Sequence, residues 1–238
     1  MLKSYFALAF AAAAGLAAPA SAGQLITNGG FETGDFTGWT QNKQPGSSGN
    51  LFVVPNGANA PTSGHSTQAN ASGGSFVALT SQSGPGSYSL TQSFVISPGT
   101  SDVVISYDFF VNAYASLAVT ENRRDFHANP NENAEVNILI GSASPFTTAI
   151  GDIVATLYSP GVDSGSNPHP WVNYAFDLGA LAPGTYQIRF AETDNQNYFN
   201  MGVDNVSVAT TGEAVPEPTS FAILGVSLLG LGLIRRRA

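Results

Sequence analysis

Apolar side chains fall on alternate positions along most of this chain. Val103, Ile105, Tyr107, Phe109 and Val111 alternate with Ser106, Asp108 and Asn112, and Tyr186, Ile188 and Phe190 alternate with Gln187 and Arg189. Period-two runs rich in β-branched and aromatic residues predict strands with one buried face. Further runs of this kind are LFVV from Leu51, SFVALT from Ser75, YSLTQSFVI from Tyr88, SLAVT from Ser116, AEVNILI from Ala134, DIVATLY from Asp152 and WVNYAFDL from Trp171. No stretch between residues 24 and 209 shows the 3.6-residue stripe of an amphipathic helix. About ten strands punctuated by Gly, Pro, Asn and Ser predict an all-β chain folded as a single jelly-roll β-sandwich.

The connections at 41–50, 56–74 and 159–170 are polar and glycine-rich. The longest, 56–74, is nearly devoid of large apolar side chains, which predicts a mobile connection. No internal repeat and no second composition regime marks another domain.

The two ends break the strand pattern. Lys3 precedes an apolar, alanine-rich run from Tyr5 to Leu16, followed by Pro19 and the triplet Ala20-Ser21-Ala22. A basic start, a short apolar run and an A-x-A site predict a secretory signal over residues 1–22, cut by signal peptidase between Ala22 and Gly23. At the other end, residues 219–234 are sixteen uncharged positions, nine of them Phe, Ile, Leu or Val, followed by Arg235, Arg236 and Arg237. As a helix they would reach about 24 Å, short of the ~30 Å hydrocarbon core of a bilayer. Pro216 and Pro218 keep the preceding segment extended. A marginal membrane helix behind an extended, accessible peptide suits a processing signal better than a permanent anchor.

These residues carry a resemblance. Val215-Pro216-Glu217-Pro218, the Gly/Leu-rich helix and the arginine run resemble the PEP-CTERM sorting signal of exosortase-dependent bacterial surface proteins. The resemblance covers about the last twenty-four residues. It implies that an integral-membrane exosortase recognises Pro216-Glu217-Pro218 and removes or transfers the tail, in a bacterium that makes exopolysaccharide. The chain would then be exported, held briefly in the inner membrane, and delivered to the cell surface or matrix. A plain C-terminal anchor is the alternative. The domains are thus expected at 1–22, 23–212 and 213–238.

Between residues 23 and 214 there are fifteen acidic residues against Lys43, Arg123, Arg124 and Arg189, a formal charge of −11. Such a surface repels nucleic acid and anionic membrane. With no cysteine in the chain, stability has to come from the core, with or without metal, and thiol chemistry is excluded.

The body opens with LITNGGFETGDFTGW and closes with MGVDNVSVA. Together these resemble galactose-binding-like jelly rolls, including several carbohydrate-binding module families. The resemblance implies that Glu32, in the segment from Asn28, and Asp204 share a structural calcium. A physical argument reaches Asp204 separately. If Val206 and Val208 face the core, alternation turns Asp204 inward, where a carboxylate requires a partner. Calcium with oxygen ligands would supply one; backbone N–H groups at the rim are the alternative.

Phe31 and Trp39 read as core. Trp171, Tyr174, Tyr114 and Tyr88 are the candidates for stacking on sugar rings, Trp171 following the stiff Pro168-His169-Pro170. The charge-rich segment 121–135 reads as a solvated hairpin connection with local ion pairs. His65, His127 and His169 have no metal-binding spacing, and no nucleophile elbow is present. Glu121 and Glu132 are the pair a glycosidase would need. The expected function is a non-catalytic binding module, with exopolysaccharide as partner. A matrix protein without a defined ligand is the first alternative, and a secreted glycan hydrolase the second.

Overall fold

The structure is a computed structural model that describes residues 23–113, 124–128, 130–159, 168–196 and 199–212. The signal peptide, the tail, Tyr114, Glu121, Arg123 and the SLAVT run lie outside the described residues. Residues 22–211 form one compact unit.

Eleven strands are described: β1 (Gly23–Gln24), β2 (Thr40–Lys43), β3 (Asn50–Pro55), β4 (Phe76–Ser81), β5 (Gly86–Ile96), β6 (Thr100–Ala113), β7 (Glu132–Ile140), β8 (Ile153–Tyr158), β9 (Val172–Asp177), β10 (Gly184–Asp194) and β11 (Phe199–Gly212). One antiparallel sheet runs β3-β4-β11-β6-β9 with β1 paired to β11, and the other runs β2-β5-β10-β7-β8. This is the jelly-roll sandwich expected from the period-two runs.

Alternation decides which side chains meet between the sheets. Val103, Ile105, Tyr107, Phe109 and Val111 of β6 face Ile188 and Phe190 of β10, and all are buried. Tyr107 sits edge-on to Phe190 with ring centroids 5.3 Å apart, and Trp39 bridges Phe31 and Phe190 at 5.6 and 6.1 Å. Truncating one such aromatic in a core typically costs about 3–5 kcal/mol. Trp39 closes one end, its indole N–H donating to the Asn28 carbonyl at 3.0 Å.

A second, smaller core lies on the outer side of the β3-β4-β11-β6-β9 sheet. Val54, Val77, Leu79 and Phe110 gather there, with Phe52, Ala58 and Trp171 against them. The cover is the 56–74 connection, which is pinned rather than mobile as its composition predicts. Asn56 and Asn70 exchange side-chain and backbone hydrogen bonds, Thr62 and Ser63 N–H groups donate to Ser81 Oγ, and Gln68 Nε2 donates to the Pro168 carbonyl.

The last strand departs from simple alternation. Met201, Val203, Val206 and Val208 all face the core, so one extra residue stands between Val203 and Val206. Asn205, at φ 49°, absorbs it as a bulge. Asp204 is thereby turned to the outer side of its sheet, toward Asp108, and not inward as alternation predicts.

The opening segment is fixed to the last strand by close backbone approach. Val206 N–H donates to the Gly29 carbonyl at 3.0 Å, and a Cβ at position 29 would stand 1.9 Å from the Val206 carbonyl oxygen. Gly29→Ala is therefore expected to destabilise the domain by about 1–3 kcal/mol. Urea unfolding checks this, and an unchanged midpoint would contradict the approach.

Candidate functional site

Two regions hold the residues the sequence singles out. The first is a carboxylate cluster on the outer side of β6 and β11. Asp204 is fully buried. Its Oδ1 accepts from the Asn205 N–H at 2.8 Å and its Oδ2 from Asn70 Nδ2 at 2.9 Å. The same Asn70 nitrogen donates to Asp108 Oδ2 at 2.9 Å, which also accepts from Ser72 Oγ at 2.6 Å and Asn205 Nδ2 at 2.8 Å; Asp108 Oδ1 accepts from Asn173 Nδ2 at 2.7 Å. Burial would raise the Asp108 carboxyl, but these hydrogen bonds outweigh it and hold it below the ordinary range. Burial dominates at Asp204 and, with the charges of Asp108 and Glu32, leaves it pushed up to about 6.

Glu32 lies beside this pair. Its oxygens accept from the Ser75 and Phe76 N–H groups at 3.0 and 3.1 Å. Glycines let the 70–75 turn press onto both acids: a Cβ at Gly73 would meet Asp204 Oδ2 at 2.4 Å, and one at Gly74 would meet Glu32 Oε1 at 2.4 Å. The donors are hard oxygens in a tight cradle, and that chemistry fits a calcium-like ion. Among the described residues no group of three or more His, Cys, Asp or Glu is placed to hold a metal. An ion between Glu32 and Asp204 would therefore need main-chain oxygens as well.

The second region is a cleft of about 430 Å³ between the edge strands β8 and β9, lined by residues that include Phe109, Leu157, Tyr158, His169, Val172 and Tyr174. Tyr174 stacks on Tyr107 (5.4 Å, 21°) and meets Tyr158 edge-on (5.8 Å, 79°). The cleft thus offers aromatic and apolar walls beside the hydroxyl and imidazole groups of Tyr158 and His169.

The other stacking candidates are placed differently. Tyr88 is fully buried between the sheets, its hydroxyl accepting from the Gly49 N–H at 2.7 Å, so it does not reach a ligand. Trp171 is half-buried, packed edge-on against Phe110 at 4.7 Å, with Nε1–H donating to the Gln68 carbonyl at 2.8 Å. It holds the 56–74 cover in place. Glu132 is buried at the start of β7, and its proposed glycosidase partner Glu121 lies outside the described residues.

The described part of 121–135 holds the expected local ion pair, but buried, while His127 and Pro130 are exposed. Arg124 is 3% exposed and pairs with Glu135 at 2.8 Å. Arg189, a residue the sequence reading passed over, lies fully buried beside them. It donates to Asn137 Oδ1 at 2.7 and 3.1 Å and to the Pro145 and Thr147 carbonyls at 3.3 and 2.8 Å. Burial first, then the Arg124 charge, bring its guanidinium down to about 10 against the pull of Glu135. Alternation puts Arg189 on the outer face of β10, but the carbonyls that cover it come from a distant loop and leave no local sequence signal.

The sandwich is similar to solved structures of low sequence identity. It is similar to TmCBM61 solved in complex with β-1,4-galactotriose (14% identity, TM-score 0.46, 78% of this chain and 97% of that one). It is also similar to a CBM22-1 xylan-binding domain from Paenibacillus barcinonensis (14%, 0.40, 84% and 100%). A third likeness is to the enzymatically active domain of a bacteriophage CBA120 tailspike (12%, 0.48, 79% and 21%). No curated protein sequence matches the chain. Residues 214–237 match the family model of the PEP-CTERM protein-sorting motif, in agreement with the resemblance of the tail. Among the described residues no helix is long and apolar enough to cross a membrane.

The raised Asp204 sets a pH dependence. Without metal, the folded protein holds this proton up to about pH 6, while the unfolded chain releases it near ~4. Folding therefore takes up a proton between these values, and stability falls as pH rises through that window. Asp204→Asn should flatten that limb of a urea-derived stability curve recorded in chelator. An unchanged slope would assign the limb to another group.

Proposed function

We propose that this is an exported bacterial protein whose sandwich is a non-catalytic module for a surface glycan, with exopolysaccharide as the ligand. Signal peptidase would cut at Gly23, and exosortase would act at Pro216-Glu217-Pro218 to release the domain to the surface or matrix. The sorting motif at 214–237 supports the destination. The single observation behind the binding reading is the β8–β9 cleft, where Tyr158 and Tyr174 flank about 430 Å³. Aromatic walls with a few polar groups suit the apolar faces and hydroxyls of a sugar ring.

Calcium belongs to this reading as a structural ion. Glu32 and Asp204 would hold it, and its charge would offset the crowding of their carboxylates with Asp108. Added calcium is expected to raise the Tm of the domain, and Asp204→Asn to diminish that rise. An equal rise in the variant would remove Asp204 from the site.

Affinity electrophoresis of residues 23–212 through gels carrying the host's exopolysaccharide tests the binding. Val172 is 44% exposed at the cleft mouth, so Val172→Glu obstructs entry with little demand on the core. Retardation of the native domain, weakened at least about tenfold in Val172→Glu and in Tyr158→Ala, is the expected result. Unretarded migration of the folded native domain would favour a matrix protein without a defined ligand.

A further inference from the structure

A second cleft opens at the end of the β2-β5-β10-β7-β8 sheet where β5 and β7 begin and β10 ends. It encloses about 510 Å³ and is lined by Gly46, Ser48, Pro85, Phe126, His127 and Asn195. Phe126 is buried, and the exposed imidazole of His127 lies against its ring, with centroids 4.1 Å apart and planes 37° from parallel. Tyr158 of the β8–β9 cleft pairs with Val136 near the start of β7, so both clefts lie toward the same end of the sandwich.

Neither wall of this cleft is loose. The Asn195 side chain clamps the segment that carries His127: its Nδ2 donates to the Phe126 and Ala128 carbonyls at 2.8 and 2.5 Å, and its Oδ1 accepts from the Asn131 N–H at 2.8 Å. Asn131 Nδ2 donates in turn to the Asp125 carbonyl at 2.9 Å, and the Asp125 carboxylate accepts from the His127 N–H at 2.9 Å. On the other side, the Ser48 N–H donates to the Pro85 carbonyl at 3.0 Å and its hydroxyl to the Gly84 carbonyl. The backbone that carries His127 is therefore ordered by folding, and a ligand there has little loop entropy to overcome.

The chemistry of the lining narrows the ligand. No Lys, Arg, Asp or Glu stands among the six residues, which leaves stacked rings, a proline, a hydroxyl and an amide. Such a set suits the C–H face and the hydroxyls of a neutral sugar ring. We propose that this loop cleft is a second saccharide subsite, with His127 as its stacking platform, so that one glycan polymer engages the domain at two points. The site rests on the glycan reading above and extends it from a single cleft to two. Two-point attachment raises retention of a polymer beyond what either cleft achieves alone.

Gels carrying the host's exopolysaccharide test this with the full chain. In Val172→Glu, where the β8–β9 cleft is obstructed, weakened retardation should persist, and adding His127→Ala should abolish it. His127→Ala alone should weaken retention at least about tenfold, the loss expected when two points become one. His127 is exposed, so its truncation makes little demand on the core. His127→Tyr, which restores an aromatic face, should recover retention. A second readout is the His127 ring resonances, which should shift when fragments of the same polymer are titrated into Val172→Glu. Retardation abolished by Val172→Glu alone, or unchanged by His127→Ala, would overturn the second subsite and leave the glycan reading standing. Unretarded migration of the folded native chain would overturn both.

Discussion

One nitrogen holds the outer side of this sandwich together. Asn70 Nδ2 donates to Asp108 of β6 and to Asp204 of β11, so two carboxylates on neighbouring strands are kept close by a neutral amide. Buried acids this near one another need every donor within reach, and Ser72, Asn173 and Asn205 supply the others. The consequences spread from there. The 56–74 connection is drawn across the sheet, which seals Phe110 and Trp171 over a second core. The bulge at Asn205 is fixed, because its side chain is one of the donors. The opening segment is held as well, since Glu32 caps the backbone of Ser75 and Phe76 at the end of the same turn.

The sandwich was legible in the sequence because burial on one face writes a period of two. The long central strands β5, β6, β10 and β11 bury the most and show it most clearly. β2 reads TQNK and is an edge strand with little buried on either side, so no hydrophobic pattern marks it. The bulge in β11 was invisible for a related reason. A single inserted residue changes which face Asp204 occupies without altering the apolar content of the strand.

The candidate site was legible only in part. The nearness of Glu32 and Asp204 came from the likeness of the two chain ends to known jelly rolls, and it is realised. The hydrogen bonds that immobilise 56–74 join residues 38 and 134 positions apart, so local composition pointed to mobility where tertiary contacts supply order. Tyr88 sits among serines and glycine, a context that reads as surface. Its ring is buried because the register of β5 with β10 turns it between the sheets. Tyr158 was passed over since nothing local distinguishes an edge tyrosine facing a cleft from one facing solvent.

Charge is sorted across β10 with unusual strictness. Odd positions carry Arg189 toward Glu135 and Asn137, and even positions carry Glu192 and Asp194 between the sheets. A sheet is one backbone thick, yet these groups do not neutralise each other, because each is committed to partners on its own side. Of the inner acids, Glu192 accepts from Thr80 and Gln82, and burial pushes its carboxyl well above the ordinary range, which favours its protonated form. In a chain without cysteine, where disulfides cannot serve, distant segments are tied by hydrogen bonds to buried carboxylates, as Asn70 ties Asp108 to Asp204. Unlike a disulfide, that tie is reversible and depends on pH through the raised carboxyl of Asp204.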